Sequence, residues 1–140
     1  MRLTPRDALA RLAEHDHGVL ATVHTERGVD VVPVVYVVIG DHLAVPVDLV
    51  KPKESLRLQR ERNLETDDRA TLLVEHWNRD DWSHLWWVRA RMRWDDGPPD
   101  NVVDSATAAL AERFPQYHDR PFARLILFHL HTVTGWSATP

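Results

Sequence analysis

Only two of the 17 basic side chains are lysines, and both flank one proline, in Lys51-Pro52-Lys53. Proline fixes its own φ and biases the preceding residue toward an extended conformation, so a stiffened loop presents two compact ammonium groups. The segment that follows carries Arg57, Arg60 and Arg62. The free N–H groups of a helix beginning near Glu54 and Ser55 add to the same positive field. An anionic group suits this arrangement, and phosphate recognition is the chemistry it predicts. The plain alternative is a solvated loop followed by a charged helix face; the confinement of lysine to one site weighs against it.

Aromatic residues form a second concentration. Five of the six tryptophans, Trp77, Trp82, Trp86, Trp87 and Trp94, fall in two adjacent predicted strands and their connection. Such a lining suits a planar polycyclic ligand, because aromatic faces give large contact area at low conformational cost. Alternation along the second of these strands offers a plainer reading. Trp86, Val88, Ala90, Met92 and Trp94 point one way, as a buried face does, and Trp87, Arg89, Arg91 and Arg93 point the other.

Nine histidines raise the question of a metal. His129 and His131 share a face of the last strand and His15 and His17 are close in sequence, but there is no HExxH motif, and no helix carries two histidines one turn apart. No metal site is expected. With no cysteine, thiolate chemistry and cysteine-ligated metals are excluded. There is no G-x-S-x-G elbow, P-loop or dinucleotide fingerprint, so side chains and a loop must hold any phosphate-bearing cofactor.

The elements that must position these residues follow from 140 residues of average globular composition, 44% hydrophobic and 27% charged, enough for one domain over 1–140. A net charge of −4 disfavours nucleic acid as a partner. No apolar run is long enough to span a bilayer, and the N-terminus lacks a signal-like segment, so a cytoplasmic address is expected. Thr4, Pro5 and Asp7 open a short helix. Strands are predicted at Gly18 to Val23, Val29 to Ile39 and Leu43 to Val47, joined by tight turns that require antiparallel neighbours. The nearly all-apolar second strand is expected to be covered on both faces, as in a small closed barrel. A helix over Ser55 to Asn63, strands over Ala70 to Trp77 and Leu85 to Trp94, a helix over Asn101 to Phe114 and a last strand over Arg124 to Val133 complete a mainly β, α+β chain.

The order Gly18-Val19-Leu20-Ala21-Thr22, Val32-Pro33-Val34 with Tyr36, Lys51-Pro52-Lys53, then Arg62-Asn63-Leu64 resembles the split-barrel flavin and deazaflavin oxidoreductases. Asp67-Asp68-Arg69-Ala70, Leu72-Leu73-Val74, Asp81-Trp82-Ser83, Leu85-Trp86-Trp87-Val88-Arg89, Phe114-Pro115-Gln116-Tyr117 and Gly135-Trp136-Ser137 look like one branch of it, the pyridoxamine-phosphate-oxidase-class proteins that use coenzyme F420. The resemblance implies a six-stranded antiparallel split β-barrel, the FMN-binding split barrel, with short flanking helices. It also implies a homodimer with the cofactor in a groove at the subunit interface. Lys51, Lys53, Arg57 and Arg60 match the segment that holds the cofactor phosphate. Val34, Val35, Tyr36, Val47 and Asp48 match the wall beneath the ring, and Trp77 and Trp136 are candidates for the opposite wall. The chain lacks the C-terminal arginine and histidine pattern of pyridoxamine phosphate oxidases proper, so pyridoxamine phosphate is a poor substrate.

Hydride transfer between F420 and a small conjugated molecule is the function this resemblance implies, with no side-chain nucleophile required. An FMN-dependent enzyme of the same fold shares the phosphate site. A cofactor-binding protein without turnover is the third alternative. The deazaflavin's oligoglutamate tail needs further positive charge, which Arg89, Arg91 and Arg93 could supply.

Overall fold

The computed structural model describes residues 1–50 and 57–140. Helix α1, Pro5–Glu14, starts where Thr4 Oγ1 accepts the Asp7 N–H at 3.1 Å, and it buries Ala8 and Leu12. Strand β1, His17–His24, turns into β2, Gly28–Val35, and β2 runs on into β3, Val37–Ile39. Strand β4, His42–Asp48, precedes α2, Gln59–Thr66; β5, Arg69–His76, and β6, Trp86–Asp95, follow. Helix α3, Asp100–Arg113, and the 16-residue strand β7, Phe122–Ser137, end the fold. Gly28 (φ +89°) and Gly40 (φ +59°) occupy the hairpin positions that need the left-handed region.

All seven strands form one antiparallel sheet in the order β2-β1-β5-β6-β7-β4-β3. The sheet has seven strands where six were expected, and it does not close, because no ladder joins β2 to β3. One cause accounts for both differences. The expected strand from Val29 to Ile39 breaks at Tyr36, whose N–H makes the last bond in the β1–β2 register, to Asp16 O at 3.2 Å. The fragment before the break lies at one edge of the sheet and the fragment after it at the other. The sheet therefore curls until its edges are one residue apart along the chain, a barrel split at Tyr36.

Tyr36 is fully buried, and its hydroxyl donates to Leu12 O at 2.6 Å, locking α1 over the gap. The barrel interior is filled from alternate positions, including Leu20, Leu43, Val45, Leu72, Val88, Ala90 and Phe128. A second core lies outside the sheet, where α3 packs Ala106 and Leu110 on Val37, Ala44 and Leu127. Gly18 permits close packing of β1 on β5, since a Cβ there would stand 2.6 Å from Leu73 O.

Other boundaries shift. The second helix begins at Gln59, four residues later than expected, and runs to Thr66. The last strand continues through Gly135, Trp136 and Ser137, because β6 pairs with it along its whole length, Trp86 opposite Ser137. Pro33 lies on edge strand β2, and Pro46 lies beyond the end of β3 beside the irregularity at Val47 and Asp48, positions that tolerate a missing donor. The second strand is not covered on both faces: Val29 and Val31 are about two-thirds exposed, at 64% and 65%. Among the described residues, no helix is long and apolar enough to cross a membrane.

Candidate functional site

Two anchors place the basic helix α2. Asn63 is buried; its Nδ2 donates to Thr22 Oγ1 at 3.0 Å and to Asp30 Oδ2 at 2.9 Å, and its Oδ1 accepts from Gln59 at 3.0 Å. The Asn63 bond, then the Arg27 bond, holds the Asp30 carboxyl below its usual range. At the other end, the Leu58 N–H donates to Glu61 Oε1 at 3.2 Å, and Arg124 of β7 donates from Nε to Glu61 Oε2 at 2.6 Å. Asn63 ties α2 to the β1–β2 hairpin and Glu61 ties it to β7, with Arg60 between.

Arg60 is unlike the other helix arginines. Its Nε is buried and has no hydrogen-bond partner among the described residues. Burial pulls its ionisation below the usual arginine range, Glu61 and Asp48 oppose that, and Arg124 adds to it. A groove of about 310 Å³ runs past it, lined by Thr22, Asp30, Val32, Leu58 and Gln59. A desolvated guanidinium with a spare donor is costly when left alone, and an anionic oxygen satisfies it with a charge-assisted bond. Arg57 pairs with Glu65 of α2. Lys51 and Lys53 lie outside the described residues.

The residues expected to wall a ring are mostly committed elsewhere. Val34, Tyr36 and Val47 put their side chains into the barrel core, and Val35 packs on the outer core beneath α3. Asp48 is buried and accepts from the Tyr117 hydroxyl at 2.6 Å and from the Val50 N–H at 3.2 Å. Trp77 is half exposed just beyond β5, and Trp136 of β7 pairs with Trp87 of β6. Both lie at the sheet end where His76 faces Trp86, whereas α2 sits over the end where Thr22 faces Ala70. Trp77 and Ala70 are seven residues apart, roughly 23 Å along a strand. Within one chain, the structure does not bring Trp77 or Trp136 to Arg60.

No family model matches the chain, and no curated protein matches it. Solved structures do. A FAD-binding protein from Mesorhizobium loti superposes with TM-score 0.67 at 17% identity, covering 96% of this chain and 93% of its own. A heme storage protein from Vibrio cholerae gives 0.65 at 19%, covering 94% and 91%. A provisionally named pyridoxamine 5'-phosphate oxidase from Corynebacterium glutamicum gives 0.59 at 14%, covering 98% of each chain. The chain shares its fold with these proteins.

Two further features lie outside that groove. Among the described residues no helix covers the outer faces of β2, β1 and β5, and Val19, Val29, Val31 and Leu73 are exposed there. A cavity of about 690 Å³ continues this face, lined by Ala21, Thr71, Arg69, Arg91, Arg93 and His131. Arg69 is bonded to Asp67, which it holds down at about 2, and Arg93 to Asp68 at 2.7 Å. Beneath the start of α3, His42, Asp95 and His129 converge. Spacing did not reveal this trio, since its members come from three strands and only register joins them: His42 faces His129, and Asp95 faces Leu127 two residues away on the same side.

Proposed function

We propose that this chain is an oxidoreductase that binds coenzyme F420 and transfers a hydride between it and a small conjugated organic substrate. The observation that carries the reading is the buried Nε of Arg60, without a hydrogen-bond partner among the described residues, in a side chain that lines a groove of about 310 Å³. The flavin-binding and oxidase-named structures of the same fold support a flavin-type cofactor. When bound, a reduced deazaflavin supplies the hydride.

The chain's own residues then have three tasks. Arg60, with Arg57, Lys51 and Lys53, binds the cofactor's phosphate by charge-assisted hydrogen bonds. Asn63 and Glu61 hold α2 so that the guanidinium meets the phosphate at a fixed place, which orients the ring for reaction. A second copy of the chain, docked on the bare face of β2, β1 and β5, excludes water and brings its Trp77 and Trp136 toward the ring as the opposite wall. Four exposed apolar side chains beside a cavity are the surface such a homodimer needs. Neither tyrosine serves as an evident proton donor, since Tyr36 is bonded to Leu12 O and Tyr117 to Asp48.

The same phosphate site accommodates FMN, and a flavin or deazaflavin carrier without turnover would need no further residue. Incubation with F420 and with FMN, desalting, and fluorescence titration separate these readings. Retention of F420 with substrate-dependent oxidation of its reduced form is expected. FMN binding tighter by tenfold, about 1.4 kcal/mol, would transfer the assignment to FMN. Retention of neither would overturn it.

A further inference from the structure

The trio beneath α3 has no part in the cofactor site: His42 and Asp48 stand at opposite ends of β4, six residues or roughly 20 Å apart. His42 Nε2 and His129 Nε2 each lie 3.0 Å from the same oxygen, Asp95 Oδ2. The two imidazole rings are 4.6 Å apart. Ligand atoms about 2.1 Å from a shared ion are separated by roughly 3.0 to 3.4 Å at octahedral to tetrahedral angles, so both N···O edges have the length a metal requires.

The surroundings fix the donors. Asp41 Oδ1 lies 3.0 Å from His42 Nδ1, a carboxylate behind the ring that orients it and leaves Nε2 on the side of Asp95. The Gly97 N–H donates to Asp95 Oδ1 at 3.1 Å and leaves Oδ2 to the histidines. Arg93, opposite His129, turns its guanidinium to Asp68.

We propose that His42, Asp95 and His129 bind one divalent transition-metal ion of the Zn²⁺ class, with Asp41 orienting His42 from behind. Two imidazoles and one carboxylate suit Zn²⁺, Fe²⁺, Co²⁺ or Ni²⁺ and not the oxygen-preferring Mg²⁺ or Ca²⁺. His42 and Asp95 are 8% and 12% exposed while His129 is 48% exposed, so the site is open on one side and keeps at least one position for water or an exchangeable ligand.

Chelator-treated protein titrated with Co²⁺, followed by visible d–d absorption, and with Zn²⁺ by calorimetry, tests this. One ion per chain is expected, with affinity at least about 100-fold lower in Asp95→Asn and His129→Ala and roughly tenfold lower in Asp41→Asn. His129→Ala alters a half-exposed side chain, and melts of the metal-free variants confirm folding. His118→Ala, at an exposed histidine elsewhere, should bind as the unaltered chain does. Absence of saturable one-per-chain binding, or equal affinity in folded His129→Ala and Asp95→Asn, would overturn the proposal, the first leaving an ion-paired cluster and the second placing the metal on other histidines.

Discussion

The Tyr117 hydroxyl donates a 2.6 Å hydrogen bond to Asp48 Oδ2, with both side chains buried. This bond joins the turn after α3 to the last residue of β4, where the chain leaves the sheet toward Lys51. Burial pushes the Tyr117 phenol well above its usual range, and Asp48 pushes it the same way, so the hydroxyl remains a donor. Tyr117→Phe removes one bond to an ionised acceptor and should lower stability by about 1.5–3 kcal/mol, read from the urea midpoint. An unchanged midpoint would show that Asp48 is satisfied without it.

Asn63 separates packing from charge at the base of α2. Asn63→Ala strands Thr22 Oγ1 and one bond of Asp30, at a cost of about 1–3 kcal/mol. Asn63→Asp, nearly the same shape, sets a carboxylate where Nδ2 met Asp30 Oδ2 at 2.9 Å and should cost more at neutral pH than the alanine change. Lowering the pH should narrow the gap between the two variants. Chemical denaturation at pH 7 and at mildly acid pH reads both effects, and equal losses at pH 7 would refute the charge argument.

What the sequence makes legible here is local. Lysine confined to positions 51 and 53 and arginine at 57 and 60 mark the basic segment by composition alone, and hairpins with Gly28 and Gly40 fix neighbouring strands. The break at Tyr36 is not legible, because a tyrosine within a β-branched run looks like continued strand; it shows only where the β1–β2 register ends at the bond to Asp16 and the hydroxyl docks on Leu12 O. The Glu61–Arg124 pair spans 63 residues, and His42 and Asp95 are 53 apart. Neither relation exists until β7 is in register between β4 and β6. Trp77 and Trp136 fail to meet Arg60 within one chain for a related reason: spacing orders residues along strands but does not say which end of the sheet each reaches.

Glu61 gives the acid limb of stability a specific contributor. Burial pushes its carboxyl up, yet the bonds from Arg124 and the Leu58 N–H outweigh that and hold it below its ordinary 4.5. A depressed acid contributes stability that is complete above the unfolded value and is lost as pH falls through the folded one. Stability should therefore decline from about pH 5 downward, and Glu61→Gln should make that decline shallower while lowering the plateau. Urea midpoints from about pH 7 to 3 test it; parallel curves would remove Glu61 from the acid response.

Arg60 should behave oppositely in stability and in binding. A buried Nε without an acceptor among the described residues is a burden on the fold, so Arg60→Met should leave the melting temperature unchanged or raise it. Under the proposed function, the same change should weaken F420 by at least about tenfold, the loss of a charge-assisted contact. A destabilised variant with full affinity would make Arg60 a structural residue.

The bare face of β2, β1 and β5 carries the last test. Val31 and Leu73 lie on the strands flanking β1, opposite Ala21 and Val19, and are 65% and 40% exposed. In a chain of 16.2 kDa acting alone, charging such residues would shift stability by no more than about 0.5 kcal/mol and change nothing else. If a second copy covers them, Val31→Lys with Leu73→Lys buries two unpaired like charges from each chain at the interface and should reduce the mass in light scattering from twice 16.2 kDa to the single-chain value. F420 affinity should fall with it, because Trp77 and Trp136 reach Arg60 only from another copy. A monomeric unaltered chain that binds cofactor with one-to-one stoichiometry would defeat the shared site and leave this face to another partner. A dimer that survives the double change with full affinity would place the interface on a different face, and with it the opposite wall of the groove.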